Sequence, residues 1–345
     1  MTRKMVLLTG GVSNPGPAKT AVNLLRYKPE EVVAILDEIH AGMTSQDLFG
    51  LGGNIPVIRE LREVPEANTV VIGLAPTGGK LPPAMKETVL EAIGRKMTVV
   101  SGLHEFLSDD PEIAAAARVQ GARLVDVRKN EERDVAHRKG LREECLRIHT
   151  VGHDCNVGKM VVSLELSLAL KQAGYDAKFV ATGQTGIMIE GDGCPIDAVV
   201  GDFVNGAAEK LVLANQHHQI LLIEGQGSLV HPRYSGVTLG LLHGCVPDGL
   251  ILCYEMGREG VGGMNQFKLP SLAVLKQVYE TMANLMHPCQ VIGIAVNGRK
   301  FSDEDVRSEC EKVNAELGVP VCDVLRHGPE PLVKAILALK KRLAK

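Results

Sequence analysis

The sequence predicts an α/β fold of two domains, each built around a parallel β-sheet. Three observations carry this prediction: strand-like and helix-like segments alternate along the chain, the chain is 345 residues long, and a glycine-rich loop ending in lysine separates a strand from a helix near the middle. Strands that alternate with helices are expected to pair in parallel, because a parallel connection needs a crossover. The length is sufficient for two domains of ordinary size.

The composition argues against a nucleic-acid partner and against a membrane span. Apolar residues make up 45% of the chain and charged residues 23%, which is the balance of a globular protein. The net charge is −3 and aromatic residues make up 3%, whereas duplex binders need a basic face and single-strand binders need aromatic stacking. No stretch of 18 or more apolar residues occurs, so no membrane span is predicted.

The first residues are predicted to form a β-strand rather than a signal peptide. A short apolar run follows two basic residues and stops at Gly10 and Gly11, before a full hydrophobic region or a cleavage site. The eight cysteines are scattered without a CxxC pair, which is typical of reduced and mostly buried thiols. We therefore expect a cytoplasmic protein, and the cysteine spacing predicts no metal site.

Residues 1–128 are predicted to form a Rossmann-like domain. Its expected strands are 4–9, 32–36, 69–74, 97–100 and 122–127, and its expected helices are 18–26, 83–93 and 114–120. Glycine-rich loops follow two of the strands, at 10–17 and 75–79. The first loop does not match GxGxxG, so dinucleotide binding is not predicted there, and structural roles are favoured for Lys19 and Asp37.

A charged segment, 129–145, is predicted to be a linker or an exposed helix before the second domain, 146–345. In that domain the expected strands are 146–151, 177–182, 219–223, 249–254, 290–296 and 319–324, and the expected helices are 159–172, 205–215, 271–285, 303–317 and 330–343. A long polar loop is expected after residue 182. Long loops in compact domains are often functional, although a solvent-facing excursion is the alternative.

The strongest functional signal is the loop between the first strand and the first helix of the second domain. The predicted phosphate-binding residues are Gly152, Asp154, Cys155, Asn156, Val157, Gly158, Lys159 and Met160. Small residues allow backbone N–H groups to point inward, and a helix N-terminus and a lysine add positive charge. The residue after the lysine, normally a serine or threonine that binds Mg²⁺, is Met160. This predicts phosphate binding without phosphoryl transfer, and coenzyme A is such a ligand.

Three further residues are catalytic candidates because they lie in loops at the carboxyl ends of the same strands. In open α/β sheets, ligands bind at this edge. Glu224 ends a buried apolar strand, where a carboxylate can bind a metal, orient water or act as a base. Asp197 lies in the polar loop, and Arg258 can bind a carboxylate or phosphate. His231 is a weaker acid–base candidate, because a lone histidine is more often structural.

Several of these motifs resemble known families. The form Gly-x-Asp-x-x-Val-Gly-Lys is similar to the variant loop of dethiobiotin synthetase and MinD-like P-loop proteins, which implies a P-loop NTPase-like sheet for the second domain. Together with segments 18–21, 182–186, 193–209 and 223–228, it makes the whole chain resemble a two-domain family. That family joins a Rossmann-like domain to a dethiobiotin-synthetase-like P-loop domain and is typified by D-glutamate N-acetyltransferase.

The resemblance implies transfer of an acetyl group from acetyl-CoA to the amine of D-glutamate or a similar amino acid. On this hypothesis Lys159 and the loop amides hold the CoA phosphates. Glu224 or Asp197 takes the proton from the amine, Arg258 binds a substrate carboxylate, and backbone amides stabilise the oxyanion. As partners we expect the amino-acid substrate and further copies of the chain, and neither nucleic acid nor a membrane.

Two alternatives remain open at this point. The first is a carboxylate-activating ligase of the dethiobiotin synthetase type, which needs ATP and Mg²⁺ and for which Asp154 and Glu224 are the available metal ligands. Met160 argues against it. The second is a non-catalytic nucleotide-binding regulator related to MinD, which the many polar residues after position 182 disfavour.

Overall fold

The structure is a computed structural model that describes residues 3–14, 16–76 and 78–345. It divides into two compact units: the chain up to Lys129 together with 187–191, and 130–186 together with 192–345. Met1, Thr2, Pro15 and Thr77 lie outside the described residues, and the last two belong to the predicted glycine-rich loops at 10–17 and 75–79. Among the described residues, no helix combines the length and the apolar character that crossing a bilayer requires.

The first unit contains the predicted Rossmann-like sheet. Its described strands are β1 (Met5–Leu8), β2 (Val32–Leu36), β3 (Val57–Ile58), β4 (Thr69–Ile72), β5 (Thr98–Ser101) and β6 (Leu124–Asp126), and its helices are α1 (Lys19–Tyr27), α2 (Ser45–Phe49), α3 (Lys86–Gly94) and α4 (Pro111–Gln120). All neighbouring strands pair in parallel, in the order β3-β2-β1-β4-β5-β6. This is the doubly wound order of dinucleotide-binding folds, which confirms the predicted fold class.

The second unit is a second parallel sheet, in the order β14-β13-β10-β7-β9-β8. Its strands are β7 (Leu146–Gly152), β8 (Ala177–Val180), β9 (Ile220–Ile223), β10 (Gly249–Glu255), β13 (Gln290–Asn297) and β14 (Val321–Cys322), with a hairpin of β11 (Gly260–Val261) and β12 (Met264–Lys268). The helices from residue 159 onward are α5 (Lys159–Gln172), α6 (Gln184–Glu190), α7 (Val204–Asn215), α8 (Ser235–Cys245), α9 (Leu272–Asn284), α10 (Asp303–Leu317) and α11 (Glu330–Arg342).

The central strands and α5 define the core of the second unit. β7 and β10 are buried at every position, as expected for strands covered on both faces. On α5, Val162, Leu166 and Leu170 recur every fourth residue and pack into the core beneath the sheet. Burying each of these side chains contributes about 2 kcal/mol. Because α5 follows β7 directly, its packing fixes the helix N-terminus at the carboxyl edge of the sheet.

The sequence predicts loops in two segments that form helices in the structure, and the hairpin of β11 and β12 also lies in a predicted loop. Residues 184–190 form α6, and residues 235–245 form α8. Glycine weakens intrinsic helix propensity, so α8 did not stand out in the sequence. A Cβ at Gly240 would lie 2.5 Å from Val204, and one at Gly244 would lie 2.5 Å from Ala208. The glycines therefore permit close packing of α8 against α7, and this tertiary contact decides the conformation.

The segment that joins the two sheets is irregular. Residues 130–145 form neither helix nor strand. The buried carboxylate of Glu209 accepts hydrogen bonds from the backbone N–H groups of His137 and Arg138, at 2.8 and 2.9 Å. These bonds order the segment against α7 without secondary structure of its own.

Candidate active site

The predicted phosphate-binding loop is a compact turn between β7 and α5. Asn156 and Gly158 have φ values of 57° and 106°, which turn the backbone back on itself. Gly152 lies where a Cβ would come within 2.9 Å of the Val157 side chain and 3.1 Å of the Cys253 carbonyl oxygen. The loop is therefore curled, as a phosphate cradle requires, and its glycines are needed for that shape.

The N-terminus of α5 carries no side-chain cap. Its N-cap residue is Gly158, and no acidic residue lies in its first turn. The first N–H groups of a helix have no partner within the helix, and together they carry a partial positive charge. An uncapped helix end of this kind, opening from a glycine-rich loop, can bind an anion such as phosphate.

Lys159 brings a full positive charge to the same point. Its side chain is buried, and its ammonium group donates a hydrogen bond of 2.8 Å to the backbone carbonyl oxygen of Asp154. Burial lowers the pKa of Lys159 below its usual range. The bond goes to a neutral carbonyl oxygen rather than to a carboxylate, so the charge of the ammonium is left to attract an anion.

Asp154 shapes the loop from within. Its fully buried carboxylate accepts hydrogen bonds from the backbone N–H groups of Cys155 and Gly262, at 2.6 and 2.7 Å, and from Arg258 at 2.9 Å. These bonds tie the chain after β10 to the loop after β7. The negative charge is compensated by Arg258, so the geometry gives Asp154 an anchoring position within the predicted phosphate-binding set.

Arg258 lies beside the loop, and its guanidinium group bonds groups of the protein itself. It donates to the carboxylates of Asp154 and Glu255 and, at 2.9 Å, to the carbonyl oxygen of Cys155. The side chain is 19% exposed, so part of it faces the edge where a ligand would lie. Binding of a substrate carboxylate by Arg258 stays a prediction.

A cluster of positive charge surrounds Glu255 at the end of β10. Its carboxylate, 1% exposed, pairs with Arg258, with Arg299 at 3.5 Å and with Lys300 at 2.6 Å. Burial raises the pKa of Glu255, but Lys300 and the two guanidinium groups outweigh burial and hold the pKa below its usual range. Because Arg258 also pairs with Asp154, the three cations face two carboxylates, which leaves one positive charge in excess. Asn297 links this cluster to the loop through a 3.5 Å bond to the Val157 carbonyl oxygen.

Glu224 stands at the end of β9, next to β7. Its buried carboxylate accepts hydrogen bonds from the N–H groups of Thr182 and Gly183, at 2.9 and 3.0 Å, and from the Gln226 amide at 3.2 Å. Burial raises the pKa of Glu224 to about 7, although these hydrogen bonds oppose the rise. A Cβ at Gly186 would lie 2.5 Å from the same carboxylate, so the packing around Glu224 is tight.

Asp197 lies in a short 3₁₀ turn, Ile196–Ala198, and is half-buried. Its negative charge is one of the causes that raise the pKa of Glu224. The structure therefore brings the two predicted carboxylates close enough for their charges to interact. Two interacting carboxyl groups in different surroundings are a common basis for proton transfer.

Two further buried side chains lie against the loop. The sequence gives no signal for Tyr279 and makes His231 only a weak candidate. From α9, Tyr279 donates a 2.7 Å hydrogen bond to the carbonyl oxygen of Gly152 and accepts one of 3.1 Å from the N–H of Leu229. His231 has its Nε2 atom 3.7 Å from the carboxylate of Asp154. A tyrosine on an amphipathic helix is normally a core residue, so no sequence signal marked Tyr279.

Asp154, Cys155 and His231 present an oxygen, a sulfur and a nitrogen atom within 4.8 Å of one another, which invites comparison with a metal site. However, Nδ1 of His231 accepts a 3.1 Å hydrogen bond from the N–H of Arg233. In a neutral imidazole the proton then lies on Nε2, so that nitrogen is a donor and not a metal ligand. Arg258 also neutralises Asp154. These three residues therefore fit a cation poorly. The absence of a metal site remains a prediction from the sequence.

The first unit has a cavity of about 570 Å³ of its own, lined among others by Lys86, His104 and Phe106. Asp37 lies elsewhere in this unit, fully buried, with bonds to Ser13 and His40. These contacts agree with the structural role that the sequence favoured for Asp37.

Comparison with known families places both units. A domain of unknown function described as the DUF1611 P-loop domain matches residues 133–333, and its companion, the DUF1611 Rossmann-like domain, matches residues 38–130. The crystal structure of a DUF1611 family protein from Anabaena variabilis superimposes with a TM-score of 0.92 at 35% identity, covering 97% of this chain and 99% of that one.

Two curated relatives carry a functional name. A protein named D-glutamate N-acetyltransferase from Tritonibacter scottomollicae is 36% identical over 97% of this chain and 98% of its own length. A protein of the same name from a Pseudoalteromonas species is 40% identical over 77% of this chain and 80% of its own length.

Proposed function

This chain belongs to the DUF1611 family, and from that membership we propose that it transfers an acetyl group from acetyl-CoA to the amine of D-glutamate. The relatives named for this activity align over most of the chain, 97% of it in the longer alignment. The structural observation that carries the proposal is the uncapped N-terminus of α5 with Lys159 in its first turn. This arrangement suits the phosphate groups of an acyl donor such as coenzyme A.

The residues fit a phosphate-bearing donor that is not hydrolysed. Lys159 and the N–H groups at the start of α5 would hold phosphate oxygens, and Arg299 and Lys300 supply further positive charge at the same edge. Met160 replaces the hydroxyl residue that holds Mg²⁺ in phosphoryl-transfer enzymes. Gly225 allows the chain after β9 to pack closely beside β7 and Lys159, because a Cβ there would lie 1.8 Å from the Thr150 carbonyl oxygen and 2.9 Å from the Lys159 side chain.

The acceptor amine must lose a proton before or during its attack on the acetyl carbon. Glu224 has a pKa of about 7, which suits a proton acceptor near neutral pH, and Asp197 is the nearby alternative. Because Glu224 is only 4% exposed, proton transfer to it would need a short path through Asp197 or water. Backbone N–H groups of the glycine-rich loops would stabilise the oxyanion.

The acceptor has two carboxylates, and the cationic cluster offers groups to bind them. Arg258 remains the predicted contact, with Arg299 and Lys300 more exposed beside it, at 52% and 64%. Guanidinium groups bind carboxylates bidentately, which gives orientation as well as affinity. This reading makes the cluster the determinant of acidic acceptors over neutral ones.

A cytoplasmic location and association with further copies of the chain complete the proposal. The cysteines, six of which are buried and none of which forms a disulfide, support the first, because oxidising compartments favour disulfides. The second is tested by light scattering on the purified protein, in which a monomeric mass would contradict it.

The direct test is an acetylation assay on the purified chain. With acetyl-CoA and D-glutamate we expect release of CoA thiol and formation of N-acetyl-glutamate by mass spectrometry, with L-glutamate and D-glutamine as matched acceptors. Turnover that requires ATP and Mg²⁺ would instead favour the ligase, and nucleotide binding without any turnover would favour the regulator.

A further inference from the structure

We propose that Gln226 positions Glu224 for proton transfer: its side-chain amide favours the ionised carboxylate and leaves Oε1, rather than Oε2, to take the proton of the acceptor amine. The proposal rests on the proposed acetyl transfer and deepens it, because it names the accepting atom and a residue that controls it. The sequence analysis assigned no role to Gln226.

The two carboxylate oxygen atoms of Glu224 have different surroundings. Oε2 accepts hydrogen bonds from the backbone N–H groups of Thr182 and Gly183, at 2.9 and 3.0 Å, and a Cβ at Gly186 would lie 2.5 Å from it. Among the described residues, Oε1 accepts one hydrogen bond, of 3.2 Å, from Nε2 of Gln226. A carboxylate oxygen can accept two hydrogen bonds, so Oε2 is saturated and Oε1 retains a site for a proton.

A neighbouring hydroxyl group fixes which end of the Gln226 amide faces Glu224. Oγ1 of Thr182 donates its proton to the backbone carbonyl oxygen of Glu224, at 2.7 Å, and lies 3.2 Å from Nε2 of Gln226. Because that hydroxyl proton is already used, the hydroxyl oxygen can only accept from the amide, and the NH₂ end of Gln226 must point to it. The two amide protons therefore go to Thr182 and to Oε1 of Glu224.

The bond from Gln226 acts on the ionisation of Glu224, because a hydrogen bond to the charged form favours that form. Burial raises the pKa of Glu224 to about 7 and the charge of Asp197 adds to the rise, whereas the bond from Gln226 lowers the pKa. Lys159 also interacts with the charge of Glu224. His149, on the neighbouring strand β7, is neutral at pH 7, because burial lowers its pKa to about 4.

The fold holds Gln226 against Glu224. The backbone carbonyl oxygen of Gln226 accepts a hydrogen bond of 2.8 Å from Oγ1 of Thr238 on α8. A Cβ at Gly183 would lie 2.5 Å from Nε2 of Gln226 and 2.9 Å from Oε1 of Glu224, so the contact depends on the absence of a side chain at position 183. Gln226 is partly exposed, whereas Glu224 is 4% exposed. The Oε1 atom therefore lies next to a residue that solvent and ligands can reach.

The proton transfer balances within the acetyl transfer. The neutral amine attacks the acetyl carbon, an N–C bond forms, the C–S bond of the thioester breaks, and CoA leaves as a thiolate. The nitrogen gives one proton to Oε1 of Glu224, and this proton then passes through solvent to the CoA thiolate. Glu224 is ionised again at the end, and the amide of Gln226 stabilises that state for the next cycle.

The first measurement titrates Glu224 itself and needs no acceptor. The infrared C=O band of its protonated carboxyl group, identified by its loss in Glu224→Gln, should have its midpoint near pH 7 in the wild type. Gln226→Leu removes both amide bonds and should move the midpoint about one pH unit upward, as expected for the loss of one hydrogen bond to a charged group. Gln277→Leu, at an exposed glutamine on α9, should leave the midpoint unchanged.

The second measurement is the pH profile of kcat/KM for D-glutamate at saturating acetyl-CoA. Gln226→Leu should lower kcat/KM about 5-fold at pH 7 and much less above pH 9, because the base is ionised at high pH in both proteins. The Kd for CoA, measured calorimetrically, should stay that of the wild type and shows that the variant is folded. A loss of equal size at every pH would indicate a merely structural role and would overturn the proposal.

Gly183→Ala is a second variant, which displaces the amide without removing it. It should move the infrared midpoint and the pH profile in the same direction as Gln226→Leu, and it carries the test if Gln226→Leu does not fold. Gly201→Ala is its matched control, because the Cβ position of Gly201 has open space around it.

The outcomes separate this proposal from the proposed function. Acetylation of D-glutamate with an unchanged infrared midpoint in both variants would overturn the role of Gln226 and leave the acetyl transfer intact. A midpoint that moves while the pH profile does not would overturn it as well, and would favour Asp197 as the proton acceptor. If the wild type does not acetylate D-glutamate at all, the proposed function fails, and the role of Oε1 fails with it.

Discussion

The guanidinium group of Arg258 donates a hydrogen bond of 2.9 Å to the carboxylate of Asp154, although the two residues are 104 positions apart. This bond joins the loop after β10 to the P-loop after β7. Asp154 is fully buried, and a buried carboxylate is stable only while its partners remain. The P-loop is therefore held in shape by a residue from the loop that follows the neighbouring strand β10.

From this relationship we predict that Arg258→Ala destabilises the P-loop unit by about 3 kcal/mol, because it leaves Asp154 buried with reduced compensation. Arg258→Lys should recover only part of this loss, since an ammonium cannot form the same forked contacts. Differential scanning calorimetry measures the effect. The matched control is Arg307→Ala, which removes an exposed ion pair with Asp303 and should change stability by less than about 0.5 kcal/mol. Equal effects of the two alanine variants would contradict the anchoring role.

Glu224 predicts a pH dependence of stability. Its pKa rises from 4.5 to about 7 on folding, so the folded chain binds this proton more tightly than the unfolded chain. The contribution of this tighter proton binding to the free energy of unfolding is complete below pH 4.5 and is lost as the pH rises through about 7. We expect the melting temperature of wild type, relative to Glu224→Gln, to fall between pH 5 and pH 8. A difference that stays constant over this range would contradict the raised pKa.

We predict that a side chain at position 225 weakens CoA binding for steric reasons. A Cβ there would lie 1.8 Å from the Thr150 carbonyl oxygen, a backbone atom, so Gly225→Ala must displace the chain beside Lys159. We expect weakened CoA binding by at least about 10-fold, or loss of the folded unit. Gly236→Ala is the matched control, because Gly236 lies in α8 with open space around its Cβ position. That variant should bind CoA as wild type does, and a wild-type affinity for Gly225→Ala would refute the prediction.

A buried ion cluster lies at the amino ends of the strands, away from the P-loop. We predict that breaking it lowers the stability of the protein strongly and leaves CoA binding unchanged. Asp248 is fully buried and bonds Arg147 at 3.1 Å, His287 at 2.9 Å and Lys345 at 2.7 Å. Asp248→Ala leaves the buried guanidinium of Arg147 unpaired, which we expect to cost about 3–5 kcal/mol. Calorimetry should show this loss, whereas Asp192→Ala, which removes a more exposed pair with Lys178, should cost less than about 1 kcal/mol.

The sequence was informative where a local pattern decides the structure. Helix α5 was predicted over 159–172 and runs from Lys159 to Gln172, because its apolar residues recur at helical spacing directly after a strand and a glycine-rich loop. The parallel sheets followed from the alternation of strands and helices. The family resemblance, carried by Gly152–Lys159 and the loops after β8 and β9, is confirmed by the DUF1611 matches.

What the sequence did not reveal depends on contacts between distant segments. Helix α8 is glycine-rich, and only packing against α7 explains why it forms. The partner of Arg258 lies 104 residues away, and the support of Gly152 by Tyr279 spans 127 residues. Neither contact has a local signature, since arginine in a loop and tyrosine on a helix occur in many roles. The shared edge of the sheet was predictable, but the pairing of side chains along it was not.

The central claim is that Lys159 and the start of α5 hold the phosphates of the acyl donor. The most direct measurement is isothermal titration of acetyl-CoA into wild type, Lys159→Ala and Lys171→Ala, the last being an exposed lysine on the same helix. We predict equal Kd values for wild type and Lys171→Ala and a Kd at least about 10-fold higher for Lys159→Ala, as expected when a buried charge that binds phosphate is removed. An unchanged Kd for Lys159→Ala would contradict the account.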